Sequence, residues 1–86
     1  MNINELNLMI EKKISQSIFC QNIVIEDKTY LHLNHKSHKK NKFHIKLAIK
    51  SAELSKMKKI DATKKIYKIL EYELKNYIHS IQLEFN

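Results

Sequence analysis

FHIKLAIK, Phe43 to Lys50, alternates apolar and polar side chains for four periods. Phe43, Ile45, Leu47 and Ile49 share one face; His44, Lys46, Ala48 and Lys50 share the other. This period predicts a half-buried strand whose apolar face needs a covering layer. The flanking segments supply it. Upstream, Ile3, Leu6, Met9, Ile10, Ile14 and Ile18 recur at steps of three and four, with Glu11, Lys12 and Lys13 between them. They predict an amphipathic helix that starts near Asn2 or Asn4 and ends near Cys20 to Asn22. Downstream, Ser51 is placed to cap a short helical turn with Leu54 inward. Asp61 then caps a helix of four to five turns, with Ile66, Tyr67, Leu70, Leu74 and Tyr77 on its inner side.

The remaining strands follow from composition and alternation. Ile23, Val24 and Ile25 form a β-favouring run that Glu26, Asp27 and Lys28 interrupt. Alternation resumes from Thr29 to Asn34, and residues 35–41 read as an exposed loop. From Ile78 to Phe85, Ile81, Leu83 and Phe85 alternate with Ser80, Gln82 and Glu84. The resulting order is α-β-β-α-α-β: a small two-layer α/β domain with a three-stranded sheet and its helices on one face.

Composition narrows the function classes. With 86 residues, one domain spanning 1–86 is expected. A chain of this size buries roughly 60–65% of its unfolded surface, enough for one thin core. A hydrophobic content of 43% argues against wholesale disorder. No apolar run approaches the ~20 residues of a membrane span, and MNINELNLMIEKK lacks the pattern of a secretory signal. The expected location is the cytoplasm or an organelle matrix, with no membrane partner. Cys20, the single cysteine, excludes an internal disulfide and reads as a buried thiol at a helix end. The net charge of +7 comes from lysine alone and favours an anionic partner. Lysine neutralises phosphate as a point charge but lacks the planar fork that reads bases bidentately. The chain contains no glycine, which removes both a phosphate-cradling loop and a Gly-x-x-Gly nucleotide clamp.

Histidine is distributed unevenly. His32, His35, His38 and His44 fall between Tyr30 and His44 among Lys36, Lys39, Lys40 and Lys42, while His79 stands far downstream. His79 shares the parity of Ile81, Leu83 and Phe85, so it is expected on the helix-covered side near the rim, bonded to a backbone carbonyl. The spacing His-x2-His-x2-His on a strand end and loop is a weak metal signal by itself, without paired cysteines or a carboxylate beside it. No nucleophile–histidine–acid set is evident in the spacing, so no enzymatic activity is expected. Phe43, Tyr67 and Tyr77 have inward parity, which leaves no evident stacking platform for bases.

Several of these stretches resemble the BolA-like family. IEDKTYLH, Ile25 to His32, is similar to the family's segment of acidic residue, small hydroxyl residue and histidine, here Asp27, Thr29 and His32. KFHIKLAIKS, Lys42 to Ser51, resembles the strand after the family's variable loop. IDATKKIYKILEYEL followed by IHSIQLEF resembles its long helix and histidine-bearing last strand. The resemblance covers nearly the whole chain. It implies a KH-like α/β fold, partnership with a monothiol glutaredoxin, and a 2Fe-2S cluster shared with the glutaredoxin cysteine and a glutathione thiol. None of that cluster is expected on the isolated protein. The resemblance implies His79 as one ligand and His32 as the second, with His35 next and His38 last. Lys36, Lys39, Lys40, Lys42 and Lys64 are then candidates for partner or electrostatic contacts. The chain departs from the family pattern in three places. Asn41 and Lys42 replace a small residue and histidine; Ala62, Thr63 and Lys64 replace a basic–histidine–arginine triplet; Lys56 replaces a glycine. The second departure weakens nucleic-acid contact through the helix. The expected function is therefore a non-enzymatic iron–sulfur cluster assembly or trafficking adaptor, with a KH-like DNA- or RNA-binding regulator as the alternative.

Overall fold

Asn2 opens the first helix, because its side-chain oxygen accepts the N–H of Glu5 at 2.9 Å and satisfies one of the free first-turn donors. The helix, α1, runs Ile3–Ser17 in the computed structural model, which describes residues 1–29 and 42–86. Strand β1, Asn22–Asp27, pairs antiparallel with β2, Phe43–Lys50, and β2 pairs in parallel with β3, Ile78–Phe85. The sheet order is β1-β2-β3. Parallel neighbours need a crossover. Here it comprises α2 (Ala52–Ser55), α3 (Lys59–Ile69) and α4 (Glu71–Asn76).

The core shows why these elements pack. Leu6, Ile10 and Ile14 of α1 meet Ile45, Leu47 and Ile49 of β2 and Leu54, Ala62, Ile66 and Leu70 of the crossover in one buried cluster. The apolar face of FHIKLAIK is therefore the face the helices cover. Burying each large side chain contributes about 1.5–3 kcal/mol relative to leaving it exposed. The other face carries His44, Lys46, Ala48 and Lys50, with Gln82 and Glu84 exposed on β3. An internal ion pair joins the ends of the helical layer: Lys13 Nζ lies 2.6 Å from Oε2 of the fully buried Glu73. That contact falls outside hydrogen-bond geometry, and Oε1 accepts the hydrogen bond from Lys13 at 2.9 Å.

The structure changes several sequence expectations. The long helix is two segments, because Leu70 leaves helical geometry at φ −99°, ψ 19°. Lys58 takes the N-cap position without a side-chain cap, and Asp61 lies in the first turn, where its charge complements the helix dipole. Tyr67, expected on the inner side, is exposed. It sits one residue after the inward Ile66, which turns it about 100° away around the helix. β1 continues through Glu26 and Asp27, which pair with Lys46 and Ile45. The strand-like stretch expected up to Asn34 lies, after Thr29, outside the described residues, as does the loop expected over 35–41. Among the described residues no helix is long and apolar enough to cross a membrane.

Candidate functional site

The site is built where β2 begins. Thr29 N–H donates to Asp27 Oδ1 at 2.9 Å, and the Thr29 hydroxyl donates to the same oxygen. Thr29 Oγ1 then accepts the backbone N–H of His44 at 3.1 Å, while the His44 carbonyl accepts Lys28 N–H at 2.7 Å. The Asp-x-Thr spacing noted in the sequence thus ties the end of β1 to the second residue of β2. On the other side, Phe43 N–H donates to the Tyr77 carbonyl at 2.9 Å, fixing the start of β3 against β2.

A register shift between β2 and β3 then decides where His79 goes. Phe43 is opposite Ile78, but His44 is opposite Ser80, so β3 carries one extra residue, His79. A bulge of this kind leaves a residue unpaired and re-aims its side chain. Ile78 stays in the core, and Ile81, Leu83 and Phe85 keep their places against it. His79 does not follow their parity, as the sequence suggested. Its ring meets His44 of the opposite face, with centroids 4.6 Å apart and planes at 74°. His79 Nδ1 is 3.1 Å from His44 Nε2, so its partner is an imidazole rather than the expected backbone carbonyl. His44 Nδ1 is 2.6 Å from Ser80 Oγ.

Sequence reasoning gave His44 no functional role, since strand alternation placed it on a wet face. It is only 4% exposed. His79 remains half-buried, and among the described residues no partner is recorded for its Nε2. Beside the pair, a recess of about 350 Å³ is lined by Lys28, His44, Ile45, Lys46, Ser80, Ile81 and Gln82. Its charge is basic, partly balanced by Glu26, which pairs with Lys28 at 2.9 Å. The hydrogen bond and charge of Lys28, with a smaller contribution from Lys46, hold the Glu26 carboxyl below its ordinary range.

The other candidates divide cleanly. His32, His35, His38, Lys36, Lys39 and Lys40 lie outside the described residues. Lys42 Nζ donates to the Lys75 carbonyl at 3.1 Å, a cation at the C-terminal end of α4. Lys64 is exposed on α3, in the helical layer on the other side of the sheet from His44. It shares the outer face of α3 with Lys68 and with Tyr67, 46% exposed. Cys20 is half-buried and its thiol donates to the Ile18 carbonyl at 3.6 Å; burial first, and Glu53 second, push its pKa up.

Two imidazoles form an incomplete donor set for a metal centre. Among the described residues no group of three or more His, Cys, Asp or Glu side chains is placed to hold an ion.

The comparisons with known proteins agree with this architecture. The family described as BolA-like protein matches residues 14–86. A DNA-binding transcriptional regulator BolA from Haemophilus influenzae is 31% identical over 75 residues, covering 87% of this chain and 70% of the relative. Among solved structures, the BolA domain of SufE1 from Arabidopsis thaliana superposes with a TM-score of 0.78 at 21% identity, over 100% of this chain and 93% of that one. BolA1 from the same plant gives 0.75 at 22% identity, over 90% of this chain and 85% of that one. At these identities the two structures speak for the fold.

Proposed function

Because the chain belongs to the BolA-like protein family, we propose that it is a non-enzymatic adaptor that partners a monothiol glutaredoxin and lends imidazole ligands to a 2Fe-2S cluster. The observation that carries this reading is the bulge that turns His79 out of the core and against His44. His79 would supply one ligand, and His32 the second. His32 follows Thr29 by three residues, a reach of about 10 Å of extended chain, and Thr29 is bonded to the backbone of His44. The glutaredoxin cysteine and a glutathione thiol would complete the set. Imidazole in place of two thiolates makes such a centre less negative and raises its potential. Lys28 and Lys46, beside the pair, favour an acidic partner.

The test is reconstitution with a monothiol glutaredoxin, glutathione, iron and sulfide. The wild-type chain should convert the glutaredoxin's own cluster spectrum into a histidine-influenced one, and His79→Ala and His32→Ala should each prevent the conversion. Unaltered spectra in both variants would remove the ligand assignment.

A second reading has its own observation. Tyr67 is exposed between Lys64 and Lys68 on α3, an aromatic among cations that suits nucleic acid better than the sequence suggested. The comparisons support this reading more directly than the first, since the Haemophilus relative is named for DNA binding. DNA binding measured across salt concentrations separates the two. If α3 binds phosphates, Lys64→Gln and Lys68→Gln should each lower the salt slope by about 1. A slope that neither variant changes would exclude α3 as the contact.

A further inference from the structure

We propose that His44 is a positioning residue that makes Nε2 the metal-binding nitrogen of His79. The inference rests on the adaptor reading above, and it concerns a residue that strand alternation places on a wet face without a role. The geometry is a relay of three side chains. Ser80 Oγ lies 2.6 Å from His44 Nδ1, and His44 Nε2 lies 3.1 Å from His79 Nδ1. Both nitrogens of His44 are occupied by these contacts, and the residue is 4% exposed, so contacts on both sides set the ring's orientation. His79 Nδ1 is consumed by His44. The only nitrogen of His79 left to face a partner is Nε2.

The hydrogens can run along this relay in two directions. In one, Ser80 donates to His44 Nδ1 and His44 Nε2–H donates to His79 Nδ1; His79 then carries its proton on Nε2 and has no lone pair to offer there. In the other, His79 Nδ1–H donates to His44 Nε2, and His44 Nδ1–H donates to Ser80 Oγ. The exposed Ser80 hydroxyl turns its own hydrogen to water, and the lone pair of His79 Nε2 is free. Only the second direction is compatible with ligation. A histidine ligand generally donates its other N–H to an acceptor, which fixes its tautomer and strengthens it as a base. A carboxylate or carbonyl usually takes that role; here a neutral imidazole does. The bulge matters for this reason: without the extra residue in β3, His79 would face the core and His44 would have no ring to accept from.

Three variants separate this role from simple packing. His44→Gln keeps an acceptor where Nε2 stands, His44→Leu fills the space without one, and Ser80→Ala removes the acceptor for His44 Nδ1–H. The first measurement uses the isolated protein at about pH 8. Long-range ¹H–¹⁵N spectra should show His79 protonated on Nδ1 in the wild type and in His44→Gln, and redistributed toward Nε2 in His44→Leu. Ser80→Ala should show an intermediate distribution. The second measurement repeats the reconstitution with glutaredoxin. His44→Leu should weaken retention of the shared cluster about 10-fold and shift its electron paramagnetic resonance signal, and His44→Gln should restore both. A His79 tautomer identical in wild type and His44→Leu overturns the proposal, whatever the cluster does. Cluster retention lost in His79→Ala but unchanged in His44→Leu also overturns it while leaving the adaptor reading intact. Loss of the adaptor reading would show instead as His79→Ala behaving like wild type.

Discussion

Replacing Lys13 by methionine tests whether the ion pair at the end of the helical layer stabilises the fold. Glu73 is 0% exposed, and Lys13 supplies both the ion-pair contact at 2.6 Å and the hydrogen bond at 2.9 Å. The same ammonium lies 5.4 Å from the centre of the Tyr72 ring, within cation–π range. Methionine keeps most of the stem, so the perturbation is loss of charge. Removing one partner of a buried pair typically costs about 3–5 kcal/mol. Lys13 is 37% exposed, however, so solvent screens the pair and reaches one side of it. We therefore expect about 2–3 kcal/mol, which for a domain of this size lowers Tm by about 10–20 °C. Urea denaturation followed by circular dichroism gives the free energy directly. Lys13→Met/Glu73→Met should recover most of the loss, because no buried charge is then left unpaired. A loss below about 0.5 kcal/mol in Lys13→Met, the value of an ordinary exposed pair, would refute the reasoning.

Ile66→Ala should cost about 2–5 kcal/mol, since the side chain is fully buried in the core cluster; a smaller loss in denaturant melts would mean that the core closes over the cavity. Thr29→Val removes the hydroxyl that accepts the His44 N–H and should cost about 1 kcal/mol, with the largest amide shift at His44; an unshifted His44 amide would contradict the bond. Burial raises the Cys20 pKa, so the thiol's contribution to stability is full below the unfolded pKa and is lost as pH rises through the higher folded one. Alkylation of Cys20 should accordingly have a pH midpoint above that of the urea-unfolded chain, and a midpoint at or below it would reverse the sign.

What the sequence disclosed followed the physics of periodicity. FHIKLAIK and IHSIQLEF are strands whose inner residues meet the core, and Ser51 caps α2 as its position suggested. The break at Leu70 left no such mark: Ile66, Leu70, Glu73 and Tyr77 keep helical spacing across it, and no glycine or proline signals the change. Tyr67 was misplaced because an aromatic beside an inward isoleucine was counted with the core, although its angular position puts it outside. His79 and His44 escaped for a single reason. Strand alternation assigns faces only while pairing is regular, and one extra residue in β3 reverses the assignment for everything before it. Spacing in the sequence gives no sign of a partner strand's irregularity. Glu73 was invisible for a different reason, since its burial depends on Lys13 sixty positions away.

The clasp formed by Asp27, Thr29 and the backbone of His44, with Lys28 bonded to the His44 carbonyl, closes the chain before and after segment 30–41. Two residues that precede that segment thus anchor the backbone of the strand beyond it, and through that strand they hold the imidazole pair in place.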